Sequence, residues 1–536
     1  MIGWRDFCIA FVMPLCITAY IVNPGPVVKA TKGQVWPIPE KQDTTTNFLI
    51  INPTHFEFQT NVPQCSLLTN ALNRYWNIIN NHGVGNVRQS QYNEREITEI
   101  DGYSGKLSSI KVYLKTNCTG DEVPSDTMDE SYEIDLMGVP STLIAPTIWG
   151  AIRGLETISQ LIYYAEDGST LILNTTKISD KPRFPFRGLL VDTSRHFIPK
   201  DILLKNLDAM AYNKLNVFHW HLTDDHSFPY QSIKFPELSQ YGAYHPSALI
   251  YTQQDVKDII EYARQRGIRV MTEFDTPGHT RSWGEGVSDI LTPCYENNAP
   301  TGMYGPLDPS ADNVYTFIKE FFEEIISVFP ENYVHLGGDE VGFECWESNP
   351  KITQFMKDNN MVSYVALESY YIQKLLDIVH DLGGKSLVWE EVFVNGVELP
   401  NKTIVHVWKG DGYTVLKKAI AAGKPALLSS CWYLDYLKTG GDWDKFYECD
   451  PHNVNATEEE LELILGGEAC MWSESVNKYN FMSRVWPRAS AAAEKLWSRK
   501  DAATYSEAAQ RLEEHTCRMN ARGIEAQPPN GPGYCL

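Results

Sequence analysis

Eight short apolar runs, each closing on charged or aromatic residues, constrain this chain more than any other feature of it. They occupy 188–191, 215–220, 268–274, 333–336, 386–389, 404–408, 426–429 and 465–469. Short runs of this kind suit strands buried on both faces of a parallel sheet. The segments between most of them, for example 202–212, 254–266 and 314–328, space their apolar residues as helices do, and a last such stretch covers 502–522. Eight alternating units predict a closed (β/α)8 barrel over 187–536, with its site at the carboxyl ends of the strands.

The residues just past each run fit that rule. After the first come Asp192-Thr-Ser-Arg195-His196, after the second His221-Leu-Thr-Asp224-Asp225 and after the third Asp275-Thr-Pro-Gly-His279. The fourth ends in His335-Leu-Gly-Gly-Asp339-Glu340, the fifth and sixth in Trp389 and Trp408, the seventh in Trp432-Tyr433-Leu434-Asp435 and the eighth in Trp472-Ser-Glu474. Taken alone, Asp339 would pass for a helix cap. Eight strand ends that all deliver charged or aromatic side chains to one face make a shared pocket the better reading. Carboxylates among tryptophans suit a carbohydrate, because an indole face stacks on a pyranose while Arg195, Asp435 and Glu474 hold hydroxyls.

Ahead of the barrel, 23–180 reads as a smaller α+β domain. Its strands are expected at 48–51, 110–114 and 131–136 and a helix at 147–164, and it ends at the proline-rich break Lys181-Pro-Arg-Phe-Pro-Phe-Arg187.

Arg5 and the apolar stretch at 7–22 read as a signal peptide over 1–22, so no stable membrane anchor is expected and the destination is lysosomal or secreted. Sequons at Asn117, Asn174, Asn401 and Asn455 are then candidate glycan sites. Nine cysteines lie beyond the leader. Cys65 and Cys118 can pair within the small domain, Cys294 and Cys345 can pin two loops on the site face, and Cys517 and Cys535 can staple the carboxyl terminus. Cys431 and Cys449 can close the loop after the seventh strand, which leaves Cys470 as the buried thiol. A net charge of −22 excludes nucleic-acid binding, which needs a basic face.

The segments Asp192-Thr-Ser-Arg-His196, Asn213-Lys-Leu-Asn-Val-Phe-His-Trp-His-Leu222, Glu273-Phe-Asp-Thr-Pro-Gly-His279, His335-Leu-Gly-Gly-Asp-Glu-Val341 and Gly467-Glu-Ala-Cys-Met-Trp472 resemble the β-N-acetylhexosaminidases of glycoside hydrolase family 20, in particular the animal lysosomal subunits. The resemblance covers nearly all of the chain after the leader. It implies an exo-acting enzyme that removes terminal N-acetylglucosamine or N-acetylgalactosamine without cofactor or metal, and a homodimer. Most retaining glycosidases use two separate carboxylates about 5 Å apart. This family instead uses the substrate's own 2-acetamido oxygen as nucleophile.

By that resemblance Glu340 is the general acid and then the base, Asp339 accepts the acetamido N–H, and Tyr433 bonds the acetamido oxygen. Trp389, Trp408 and Trp472 box in the methyl and the sugar face, Arg195, Asp435 and Glu474 hold ring hydroxyls, and Asp224 and His279 support the acid. Where family members carry an arginine that favours 6-sulfated sugars, this chain has Asp435-Tyr436, so neutral sugars are expected to be preferred.

Two other classes fit parts of the pattern. A metal-dependent barrel hydrolase would use His219 and His221, which share one strand face, with Asp224, Asp225, His226 and His279. It leaves the tryptophans without a role. An inactive glycan-binding barrel is the other, and it would not need Asp339 and Glu340 to be retained.

Overall fold

The structure, a computed structural model, describes residues 28–81, 97–436, 441–533 and 535. The signal peptide expected at 1–22 lies outside the described residues.

Eight parallel strands close into a barrel in chain order: Phe186–Asp192, Val217–His221, Arg269–Glu273, Tyr333–His335, Lys385–Trp389, Ile404–Val407, Ala426–Leu428 and Ile464–Met471, the last pairing back onto the first. These are the eight runs of the sequence, with no boundary displaced by more than two residues. Ahead of them a second, mixed sheet runs in the order Glu57–Thr60, Ser109–Leu114, Ser141–Ala145, Tyr132–Asp135, Leu171–Asp180, Lys41–Ile51 and Tyr103–Leu107. The fold is therefore a (β/α)8 barrel preceded by a smaller α+β unit.

Side-chain alternation along the strands builds the barrel interior in layers. Phe186, Val217, Met271, Tyr333, Leu387, Ile404 and Leu427 plug its lower end. Two residues further along, the layer turns polar, with His219, Glu273, His335, His406 and Glu468 all fully buried. This layer is the floor on which the site stands.

One hairpin, Leu291–Glu296 with Ala299–Leu307, is hidden at the level of sequence, where Pro293, Pro300, Gly302, Gly305 and Pro306 mask its strands. Cys294–Cys345 ties it to the short helix Glu344–Ser348 after the fourth strand. Cys65–Cys118, Cys431–Cys449 and Cys517–Cys535 are also bonded, and Cys470 is free and buried.

The helix Ile148–Leu161 is buried along its whole length, because one side packs on the small sheet and the other on the barrel. Its charged residues are paired across that seam. Arg153 donates to the carbonyls of Arg266 and Gly267 at 3.0 and 2.8 Å and meets Glu130 at 2.8 Å, while Arg187 of the first barrel strand reaches the same Glu130 at 2.6 Å. One buried carboxylate thus compensates two buried guanidiniums. Glu130→Ala strands both, and the expected cost is about 3–5 kcal/mol, measured as a fall in the thermal unfolding midpoint. An unchanged midpoint would show that the seam tolerates uncompensated charge.

Candidate active site

The fourth strand is only three residues long, and the loop after it sets the geometry of the site. Gly337 and Gly338 both adopt positive φ, 74° and 93°, and neither position has room for a side chain. A Cβ on Gly337 would lie 1.6 Å from the Asp275 carboxylate, and one on Gly338 would lie 2.4 Å from Val392. The chain leaves this turn with Asp339 tucked inward, 7% exposed, and Glu340 turned to solvent with φ of 50°, an uncommon conformation for a glutamate. The adjacent acids therefore point apart.

Asp339 sits in a small cluster of charge. The Asp275 carboxylate accepts the Gly338 amide at 2.9 Å, and burial together with the Asp339 carboxylate pushes Asp275 well above the usual range, so it keeps its proton. His279 lies 3.4 Å from Asp224, 3.8 Å from Asp275 and 3.9 Å from Asp339. Burial disfavours its charge, but Asp224 and Asp339 win and push its pKa up to about 9. A charged imidazole thus sits among three carboxyl groups.

Asp224 is the hub of the second strand's end. It meets Arg195 at 3.0 Å and His221 at 3.3 Å, and those contacts with His279 outweigh its burial to hold it far below the usual carboxylate range. Arg195 is shared among Asp192 at 3.1 Å, Asp224 at 3.0 Å and Glu474 at 3.4 Å, and lies over the Trp472 ring at 5.0 Å. Its orientation is fixed before any ligand arrives.

Aromatic rings make the walls. Trp389 is buried and donates its indole N–H to Glu273 at 2.8 Å. Trp408 and Trp472 stand 6.3 and 6.1 Å from it, and Tyr433 stacks on Trp408 at 6.1 Å with 19° between the planes. Burial pushes the Tyr433 hydroxyl well above its ordinary value, so it remains a donor. Trp283 and Trp346 are fully buried and donate to Thr223 and Thr292, which makes them core. At the rim, burial and then Glu474 push Asp435 up to about 6.

Three polar atoms in this pocket, Asp339 Oδ1, His279 Nε2 and Asp435 Oδ1, are buried without a hydrogen-bond partner among the described residues. Buried polar atoms are normally satisfied, so these three are free to bond a polar ligand that enters the pocket.

Below the pocket His219 bridges Glu468 at 2.7 Å and Glu273 at 3.2 Å, while His221 and His335 reach Glu273 at 2.5 and 3.1 Å. His219 and His221 do share a face, as alternation requires, yet their partners are carboxylates. Burial opposes their charge, and Glu468 for His219 and Glu273 for His221 overcome it, pushing them up to about 9 and 10. By composition His219, His406 and Glu468, or His219, Glu273 and His335, or Asp275, His279 and Asp339 could hold a cation. In each group the carboxylates already face imidazoles within ion-pair distance, which is the arrangement of an internal charge network. His226, a further ligand in the metal reading, is exposed.

The structure brings Arg195, Asp224, His279, Asp339, Trp389, Trp408, Tyr433 and Trp472 into one connected set, with Glu474 reaching it through Arg195 and Asp435 at its rim. Glu340 joins it through the backbone and not through a bond to His279. Glu273 and Asp275 belong to the site as well, although sequence reasoning placed them only within a motif. Their signal was an acid placed two and four residues past the inward-facing Met271.

A family model described as glycosyl hydrolase family 20, catalytic domain, matches residues 184–500, and one described as beta-acetyl hexosaminidase like matches 35–161. Beta-hexosaminidase subunit beta of Homo sapiens is 45% identical over 519 residues, covering 95% of this chain and 91% of that protein. Beta-hexosaminidase subunit alpha of Bos taurus is 46% identical over 511 residues, covering 94% of each. Among solved structures, the chitobiase of Flavobacterium johnsoniae superposes with a TM-score of 0.77 at 30% identity, over 91% of this chain and 73% of that one.

Proposed function

The chain belongs to glycosyl hydrolase family 20, and from that membership we propose a division of labour for its two adjacent acids. The protein is an exo-β-N-acetylhexosaminidase, which releases terminal N-acetylhexosamine from glycoconjugates. Glu340 protonates the leaving oxygen and then, as carboxylate, takes a proton from the incoming water. Asp339 accepts the acetamido N–H through Oδ1. The acetamido oxygen, bonded by Tyr433, attacks the anomeric carbon as the glycosidic bond breaks, giving an oxazolinium ion that water reopens with retained configuration. Holding that oxygen beneath the anomeric carbon makes the attack intramolecular, an effect worth roughly 7–11 kcal/mol.

The observation that carries this reading is the divergence of the pair. A buried Asp339 with one unpartnered oxygen suits an acceptor for the substrate's amide, and a solvent-facing Glu340 suits exchange of protons with the leaving group and water. Trp389, Trp408 and Trp472 box the acetamido methyl, Arg195, Asp435 and Glu474 take the ring hydroxyls, and Asp224 and His279 orient the charge around Asp339.

The test is competing turnover of chromogenic N-acetylglucosaminide, N-acetylgalactosaminide and their 6-sulfated forms across pH. Both neutral sugars are expected to be cleaved; cleavage of neither would sink the assignment. Asp435, titrating at about 6, is neutral below that pH and anionic above it. Discrimination against a 6-sulfate should therefore grow as pH rises through 6, by about fivefold or more for a charge pair worth about 1 kcal/mol even in high dielectric. A ratio flat in pH would remove Asp435 from the 6-position.

The relatives named as subunits support an oligomer, which we read as a homodimer. No helix among the described residues is long and apolar enough to cross a membrane. The leader and the sequons support a lysosomal or secreted destination. Of the sequons, Asn117, Asn401 and Asn455 are exposed, whereas the Asn174 side chain is engaged by Tyr163 and the Thr45 carbonyl.

A further inference from the structure

Glu391, two residues past Trp389, is tied to the pocket by contacts that the reaction scheme does not use. Its Oε2 accepts the indole N–H of Trp408 at 3.0 Å, and its Oε1 lies 2.5 Å from the Lys409 ammonium. That ammonium sits 4.9 Å over the Trp408 ring. Glu390 adds two backbone ties, its Oε2 accepting the amides of Trp408 and Lys409 at 3.1 and 3.3 Å. The same turn contributes Val392, which packs where Gly338 has no side chain. The helix Glu390–Val394 thus touches both the loop that carries Asp339 and the indole that forms a wall.

We propose that Glu391, paired with Lys409, is a positioning residue that fixes the plane of Trp408 and with it the width of the slot for the acetamido methyl. This role rests on Trp408 being a wall of that slot. Trp408 is only partly buried and has one polar handle, so an indole without an acceptor is free to tilt away from Tyr433. The bond to Glu391 holds the two rings nearly parallel. An ionised acceptor makes the stronger bond, and Lys409 favours ionisation against burial and Asp339, which both push the Glu391 carboxyl up. The Lys409 side chain is 46% exposed, and a pair so open to water adds little to stability. Its contribution belongs to the geometry of the reaction.

The test compares Glu391→Leu, which removes the acceptor, with Glu391→Gln, which keeps one for the indole. Glu391→Leu is expected to lower kcat/KM for a chromogenic N-acetylglucosaminide about 10- to 100-fold, mostly in kcat, as a small misplacement of a reacting group does. It should weaken a thiazoline mimic of the oxazolinium ion by a similar factor, and leave a glucose-configured iminosugar without the acetamido group within about threefold. Glu391→Gln should stay within about fivefold of the parent enzyme. In a Trp408→Ala background, Glu391→Leu should cost nothing further. Equal weakening of both ligands, no loss in Glu391→Leu, or additive losses in the double variant would each overturn the proposal. A parent enzyme indifferent to the thiazoline would instead refute the acetamido slot, and the additivity of the double variant alone would then decide the role of Glu391.

Discussion

Glu340→Gln is expected to lower kcat for an N-acetylglucosaminyl disaccharide by about 10²- to 10⁴-fold, the usual worth of a general acid, with no change in the thermal midpoint. The fold should survive because Glu340 is exposed and makes no hydrogen bond or ion pair among the described residues, and glutamine can occupy the same positive-φ backbone. The loss should shrink as the leaving group becomes more acidic, since an activated aryl oxide departs without a proton. A well-folded variant that cleaves the disaccharide at a rate near the parent's would remove Glu340 from the acid's role. A loss equal for disaccharide and aryl glycosides would point to damage other than a missing proton.

The barrel was legible because its strands are buried on both faces and so read as short, mostly apolar runs, broken where the buried layer of His219, Glu273, His406 and Glu468 crosses them. Ile404–Val407 and Ala426–Leu428 were visible without any knowledge of their partners. The convergence of the site was legible for a related reason: a parallel barrel sends every strand's carboxyl end to one side, so Asp192, Asp224, His279, Asp339 and Trp472 had to meet. What linear order could not give was which of these residues pair. His219 and His221 offered the spacing of metal ligands, and only the closed barrel puts Glu468 and Glu273, far away in sequence, within 2.7 and 2.5 Å of them.

The turn after the fourth strand had the same ambiguity. Two glycines and two acids are compatible with a cap, and the directions of the acids depend on Asp275 and Val392 filling the space that side chains at 337 and 338 would need. Glu390 and Glu391 stayed hidden because Trp389 already supplied a reason for the fifth strand to end as it does. Two further acids beside it were the available signal.

Asp339→Asn is expected to lower kcat/KM for N-acetylglucosaminides about 10²- to 10³-fold, the effect of removing one aligned group that stabilises developing charge. The oxazolinium ion carries a positive charge, so affinity for its thiazoline mimic should fall in parallel, while a ligand without the acetamido group should bind within about fivefold. Stability at neutral pH should change little. Replacing the Asp339 carboxylate lowers the cost of keeping Asp275 protonated, and it also takes one counter-charge from the His279 imidazolium, so the two effects oppose.

His279 provides an independent reading of the same change. Asp339 is one of the two carboxylates that keep its pKa near 9 against burial, so the variant's imidazole should release its proton at lower pH, which its ring resonances report in an NMR titration. The rival mechanism makes Asp339 a covalent nucleophile. That role would let a 2-fluoro glycoside trap Asp339 as an ester, whereas an enzyme that borrows its nucleophile from the substrate has nothing to trap when the acetamido group is replaced by fluorine. A labelled Asp339 peptide would overturn the division of labour between the two acids. Its absence, together with parallel losses of turnover and thiazoline affinity in Asp339→Asn, would leave the acetamido oxygen as the nucleophile.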